Sequence, residues 1–315
     1  MTIIELFAGV GTQYHALKEI APSAISLGIS EIDPRPLKAY KALLGEPHNF
    51  GDITAVEALP YADIWTYSFP CTDLSIAGKQ KGFNGEKSSL IYEVYRLLQN
   101  SPKPRILIME NVANICNATF MPQFQEWINS LSELGYVSTW KKIKGSQYGG
   151  GTVRERVFMI SVLNGSEFVF PEETGTTMTI KDYLEPIDST YFIDKYVGPA
   201  DNTEADYKKA RKLIDYRNGG QGNRIYSTFG QGVTLTATGG GKAGSSGGLY
   251  LRGEDVYKLS PIEMCKVMGW TKEQADIICA SLTPREVGFC MGNAIDRNVM
   301  VSIFKAIVEQ YFEGE

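Results

Sequence analysis

In this 315-residue chain, Cys71 is the residue best placed for nucleophilic chemistry. It stands in Tyr67-Ser68-Phe69-Pro70-Cys71-Thr72-Asp73, just past a strand-like apolar run, at the sheet edge where α/β enzymes put their sites. A rigid proline precedes it. The polar loop Ala77-Gly78-Lys79-Gln80-Lys81-Gly82-Phe83 follows, with lysines that help stabilise a thiolate. A lone cysteine is usually inert and buried, so a partner is required. Met109-Glu110-Asn111-Val112 offers one, a carboxyl group at the end of an apolar strand, where burial raises the pKa as a proton donor requires. A third feature is the glycine turn Glu5-Leu6-Phe7-Ala8-Gly9-Val10-Gly11-Thr12, which lets backbone approach a ligand closely. Tyr14 stands where the dinucleotide fingerprint wants its third glycine, which counts against a nicotinamide or flavin enzyme. Glu31 and Asp33, near the end of the second strand, can accept hydrogen bonds from ribose hydroxyls, and Asp52 is placed to hold an adenine amino group.

The elements that carry these residues alternate. Strand-like and helix-like stretches follow one another at 2–6 and 13–20, 24–30 and 36–44, 62–67 and 88–99. Another buried strand is expected over 105–109, a helix over 122–134 and an apolar strand over 157–162. The alternation reads as a parallel α/β sheet. From Glu172 to Tyr257 the texture changes to Gly, Thr, Tyr and Asp, with a glycine-serine segment from Gly239 to Gly248. A second domain is expected there. Helical periodicity returns at 261–268, and 294–312 reads as a closing helix that docks back on the first domain. The expected division is a catalytic and cofactor-binding domain over 1–180, a recognition domain over 181–260, a hinge over 261–284 and a returning segment over 285–315.

Composition narrows the function classes. A 43% hydrophobic, 11% aromatic chain buries a large core, and its longest apolar runs are strand-length. With no basic, apolar leader at the N-terminus, a cytoplasmic protein without a membrane span is expected. Five cysteines, never in CxxC pairs, and only two histidines argue against a disulfide framework or a metal site. The net charge of -5 speaks against non-specific coating of nucleic acid but leaves local contact open through the clusters at 141–144, 154–156 and 208–212.

Taken in order, Phe7-Ala8-Gly9-Val10-Gly11, Phe69-Pro70-Cys71, Glu110-Asn111-Val112, Arg154-Glu155-Arg156 and Gly292-Asn293-Ala294 resemble the motifs of the DNA cytosine-5 methyltransferase family. The resemblance runs nearly end to end, and the extension of the Pro-Cys loop through Gly82-Phe83 is especially specific. It is nearest to the compact prokaryotic restriction-modification type, with a recognition domain similar to that of enzymes methylating GCGC. The fold implied is a Rossmann-like methyltransferase α/β domain with a smaller, mostly β target-recognition domain. The resemblance further implies S-adenosyl-L-methionine as cofactor and double-stranded DNA as partner, with a cytosine flipped into the pocket. It makes Cys71 the nucleophile toward C6, Glu110 the group at N3, Arg156 a contact to O2, and Arg154 a support for Cys71 or phosphate. Phe7, Gly9, Gly11, Glu31, Asp52, Ile53, Pro70, Leu90 and Asn293 then line the cofactor site. For Phe7, Ile53 and Leu90 the plainer alternative is ordinary core. Gln221, Arg224, Thr234 and Gly241 match the recognition loops, where Arg224 would read guanine.

Two positions depart from the family pattern: Thr152, where Gln is usual before the paired arginines, and Tyr257, where Arg is usual before the Leu-Ser-Pro segment. They bear on loop and interface support. The competing readings are a transfer RNA cytosine-5 methyltransferase of the same family and a catalytically silent DNA-binding homologue. The resemblance also implies a monomer, with a cognate restriction endonuclease acting separately if one exists.

Overall fold

The computed structural model describes residues 1–70, 88–175, 178–199, 201, 209–215 and 220–313. Two sheets organise them. The larger has six strands in the order β2-β1-β3-β4-β6-β5. Its parallel part is β1 (Thr2–Leu6), β2 (Ile25–Ser30), β3 (Ile64–Tyr67) and β4 (Ile106–Val112), while β6 (Glu155–Leu163) and β5 (Tyr136–Lys144) add an antiparallel edge. The parallel strands are apolar because both faces are covered by helices.

One face packs α1 (Thr12–Ile20) and α8 (Arg297–Tyr311), whose Leu17, Ile303, Phe304 and Ile307 close over Ile3, Ile108 and Ile160. The last helix, α8, therefore packs on the first sheet. The other face packs α3 (Ile91–Asn100) and α4 (Met121–Glu133), where Val94, Leu97 and Trp127 meet Trp65, Tyr67 and Leu107. α2 (Pro34–Leu44) starts after Asp33, whose side chain accepts from the Arg35 N–H, with Pro34 at the first turn where no donor is needed.

The second sheet runs β7-β11-β10-β9-β8, from β7 (Phe192–Lys195) and β8 (Lys212–Asp215) to β9 (Arg224–Ser227), β10 (Leu249–Arg252) and β11 (Asp255–Lys258). Tyr226 and Tyr250 face a core shared with α5 (Pro261–Val267), α6 (Lys272–Ser281) and α7 (Pro284–Asn293), which also takes in Val10 and Ala39 of the first region. Ile225, Leu249, Leu251 and Val256 fill the opposite face. Each of the three helices opens on a capping box, Ser260 with Glu263, Thr271 with Gln274 and Thr283 with Glu286.

Both departures from the family pattern are buried. Thr152 is bridged to Gly232 beside the first sheet, and Tyr257 lies in β11 with its ring edge-on to Phe192. Among the described residues no helix is long and apolar enough to cross a membrane, and no cluster of His, Cys, Asp and Glu could hold a metal.

Candidate active site and recognition loops

Every parallel strand of the first sheet ends on the same edge, and the chemistry-bearing residues collect there. Glu110 lies in β4 and is buried, with Arg156 of β6 placing Nε 3.1 Å from its Oε1. Burial raises the Glu110 pKa, while the Arg156 and Arg154 charges and a hydrogen bond with Ser68 work against that rise. The result is a carboxyl group that keeps its proton to a higher pH than an exposed glutamate while resting beside a guanidinium.

Its neighbour Asn111 has a positioning task. It is 2% exposed, donates from Nδ2 to the Phe69 carbonyl at 3.1 Å and accepts the Val112 N–H at 2.8 Å. It therefore fastens the Ser68-Phe69-Pro70 segment to β4. Cys71, next in the chain, and the loop after it lie outside the described residues. Arg154 is buried and donates to the carbonyls of Leu235 and Gly292 at 3.1 and 3.0 Å, so these contacts join the paired-arginine segment to the second sheet's loops and to α7.

The cofactor end is built from the turns after β1 and β2. Phe7 takes φ +61°, a conformation unusual for a non-glycine residue, and is held there by its N–H to the Ser30 carbonyl. Gly9 follows at φ +59°, where a side chain would meet open space, and its N–H donates to Glu31 Oε2 at 2.9 Å. Glu31 Oε1 accepts the Asp33 N–H, and burial raises its pKa. Gly11 caps α1 against the Tyr40 ring, which a Cβ would strike at 2.6 Å.

Asp52 is exposed and caps a short turn through the Thr54 N–H, which lowers its pKa. Ile53 is buried in the core between α3 and β1. Leu90 is half-buried against that same core, Pro70 is half-buried at the end of the β3 loop, and Asn293 is exposed at the last turn of α7.

Three contributors here were not read from sequence. Ile32, between Glu31 and Asp33, is 71% exposed, an apolar side chain laid open beside a half-buried acid. Asn49 receives the Glu31 and Gly51 N–H groups on Oδ1 and returns Nδ2 to the Glu31 carbonyl, tying the two acidic turns together. Glu5, fully buried, accepts from the Tyr14 N–H and the Tyr40 hydroxyl, and burial pushes its pKa up to about 7. The one sequence signal for it is an acid inside the apolar strand Thr2-Ile3-Ile4-Glu5-Leu6.

The recognition loops are packed by backbone. Gln221 and Gly222 form a short turn before β9, and a Cβ on Gly222 would come 1.8 Å from the Gly240 carbonyl. Asn223 Oδ1 accepts the Lys242 N–H, and the Gly222 carbonyl accepts that of Ala243. Gly241, at φ +71°, sits in this contact. Gln221 Nε2 donates to the Thr234 carbonyl at 2.9 Å, so in this structure Gln221 is tied to the second loop. Arg224 is half-exposed, with Nε 3.4 Å from Asp215 Oδ1 directly across the β8–β9 ladder.

The family model for C-5 cytosine-specific DNA methylase matches residues 1–309. The chain belongs to this family. It is a DNA (cytosine-5-)-methyltransferase. It is similar to the Type II methyltransferase M.HhaI of Haemophilus parahaemolyticus, 34% identical over 279 residues, covering 86% of this chain and 84% of that protein. It is also similar to the orphan methyltransferase M.SssI of Spiroplasma monobiae, 31% identical over 261 residues, covering 78% of this chain and 65% of that one. Among solved structures, the methyltransferase EhMeth of Entamoeba histolytica superposes with a TM-score of 0.77 at 16% identity, covering 98% of both chains. That likeness shows the fold, a Rossmann-like methyltransferase sheet with a smaller β region.

Proposed function

We propose that this methyltransferase acts on a cytosine flipped out of double-stranded DNA at a short GC-containing site, with Cys71 as nucleophile and Glu110 as proton donor. The observation that carries the reading is the Glu110 site: a buried carboxyl group paired with Arg156, beside a Ser68-Phe69-Pro70 segment that Asn111 pins to the same strand. Cytosine C5 is a poor nucleophile, so the ring must first be activated by addition of a thiolate at C6. Cys71 supplies it. Glu110 donates to N3 and Arg156 to O2, stabilising the charge that the addition places on the ring. Loss of the C5 proton to water expels the thiol and restores Cys71.

S-adenosyl-L-methionine, when bound, supplies an electrophilic methyl group. The residues present fit it: two acids, one half-buried and one exposed, stand on turns that Asn49 ties together, with the open Ile32 side chain next to Glu31 and the unobstructed Gly9 backbone alongside. Glu31 would take the ribose hydroxyls, Asp52 the adenine amino group, and Ile32 and Phe7 the flat faces of the ring, with Pro70, Leu90 and Asn293 completing the wall. The division into domains at 1–180 and 181–260, with a hinge to 284, puts DNA between the two sheets. Gln221, Arg224, Thr234 and Gly241 then face the bases. A monomer suffices for this arrangement, and any cognate endonuclease acts separately. Transfer RNA is the less favoured substrate, because the family model that matches residues 1–309 is that of C-5 cytosine-specific DNA methylase.

The test is expression in a methylation-free host with bisulfite sequencing of its DNA. Modified cytosines next to guanine are expected, and modified cytosines with no adjacent guanine would overturn the site assignment. Cys71→Ser should abolish transfer while DNA binding persists; more than a few per cent of residual methylation would remove Cys71 from its role.

A further inference from the structure

We propose that Asp296 is a positioning residue for the reaction: its buried carboxyl group seats the turn between β5 and β6 and so holds Arg156 against Glu110, an inference that rests on the roles proposed for those two residues. Asp296 is 4% exposed and stands at the N-cap of α8, where Oδ1 accepts the Asn298 N–H at 3.1 Å. Oδ2 has a different setting. It is enclosed, and among the described residues no N–H or O–H group bonds to it. It lies instead against two glycines of the turn, 2.3 Å from where a Cβ on Gly145 would stand and 2.1 Å from where one on Gly150 would. Neither glycine takes a left-handed φ, so backbone conformation does not demand them. The three atoms nearest a Gly145 Cβ all belong to the Asp296 side chain, and at Gly150 the Gly145 carbonyl adds to the crowding. An oxygen so placed faces two Cα–H groups, weak donors that suit a carboxylate.

The turn is joined to the arginines through backbone. The Gly145 N–H donates to the Arg154 carbonyl at 3.0 Å and the Ser146 N–H to the Thr152 carbonyl at 3.1 Å, closing the turn across the strand ends. Two residues beyond Arg154, Arg156 lies in β6 between Ile143 and Val112, with Nε on Glu110. Asn298 donates from Nδ2 to the Gly149 carbonyl at 2.9 Å, and the Arg297 N–H donates to the Met268 carbonyl. The start of α8 therefore grips the turn on one side and the end of α5 on the other. Burial pushes the Asp296 pKa up to about 6 against the N–H groups of α8 and the Arg154 charge, so at neutral pH the group is largely ionised, the form that a helix N-terminus favours. Without the carboxyl group a void lies under Gly145 and Gly150, and the turn settles into it, drawing Arg156 off Glu110.

The experiment compares the parent with Asp296→Ser, which keeps a cap for α8 but is too short to fill the seat, with Glu110→Gln, and with Ile307→Val, a core truncation near the far end of α8. Single-turnover methyl transfer, calorimetric affinities for S-adenosyl-L-methionine and DNA, and the pH–rate profile are measured on each. In Asp296→Ser the rate per folded enzyme should fall about ten- to a hundredfold, the scale of a small misplacement at a reacting centre, with both affinities kept within about threefold. Because the Arg156 charge lowers the Glu110 pKa, its withdrawal should also move the falling limb of the profile to higher pH. Ile307→Val should keep the parent's rate and limb. The proposal is overturned if Asp296→Ser transfers methyl at the parent rate, if its rate falls only in proportion to lost affinity or folded fraction, if its limb stays in place, or if Ile307→Val changes rate and limb as much. A slow Glu110→Gln beside a parent-like Asp296→Ser would overturn it alone, whereas a parent-like Glu110→Gln would overturn the reading of Glu110 and this proposal with it.

Discussion

Glu110 and Arg224 each hold an ion pair with a residue on the neighbouring strand, and the two pairs differ in almost everything else. Glu110 and Arg156 meet at 3.1 Å with side chains 9% and 17% exposed; Arg224 and Asp215 meet at 3.4 Å with side chains 43% and 41% exposed. In the first pair water is excluded, so the charge sits in a low dielectric and its protonation is set by its surroundings. In the second, solvent screens the attraction and the guanidinium is free to exchange a carboxylate for another acceptor at little cost. A catalytic group and a reading group need these opposite settings. The first must hold one protonation state at one position, and the second must let go of the protein to take hold of a base.

Glu110→Gln is the sharpest way to break the comparison on the catalytic side, because the amide keeps the shape and loses the proton. Single-turnover methyl transfer should fall by roughly a hundredfold or more, with cofactor and DNA affinities unchanged. The sign of the pH dependence follows from the raised Glu110 pKa: the protonated form persists to higher pH than in an ordinary glutamate, and the rate should fall as pH rises through that shifted pKa. Glu110→Gln should lack this limb. A single-turnover rate like that of the parent would assign Glu110 to structure.

On the reading side the expected effect is smaller and concerns selectivity. Arg224→Ala should cost about 1–3 kcal/mol of discrimination at one guanine, since Arg is the side chain best shaped for O6 and N7 in the major groove. Competition binding with single-base variants of the methylated site measures it. A loss of affinity that is uniform across all variants would make Arg224 a backbone contact.

The two sides also differed in how much the sequence disclosed. Strand-end residues were legible, since apolar runs such as Ile106-Leu107-Ile108-Met109 locate a sheet edge and the polar residues after them fall at it. Even so, β4 runs on to Val112, because its ladder with β6 continues to Val112 opposite Arg156. Glu110 therefore sits within a strand and not beyond one. β5 was not anticipated: its Lys141-Lys142-Ile143-Lys144 end reads as a solvated face, and lysines are what an exposed edge strand carries. Asn49, Ile32 and the positioning contact of Asn111 escaped for a different reason. Their roles depend on which backbone groups the fold brings back to them, such as the Phe69 carbonyl under Asn111, and no local pattern encodes that return. The close approach of Gly222 to Gly240 was likewise invisible as a contact, though both loops stood out by their glycines.

Asp215→Asn is the mildest substitution and the most direct probe of the exposed pair. Asp215 also holds Lys212 at 2.9 Å, so losing its charge releases two basic side chains that are each nearly half exposed. Exposed pairs of this kind contribute about 0–1 kcal/mol, and unfolding in urea should shift by no more than that, with an unchanged slope. Arg224 keeps its strand position, since the β8–β9 register is set by backbone pairing and by Ile225 in the buried face. Discrimination at the guanine should therefore survive within about threefold, set against the roughly 5- to 150-fold that 1–3 kcal/mol represents for Arg224→Ala. A stability loss above about 2 kcal/mol would mean that the pair behaves as a buried one. Discrimination lost as fully as in Arg224→Ala would mean that Asp215 must aim the guanidinium, and the contrast with Glu110 and Arg156 would then lie in exposure alone.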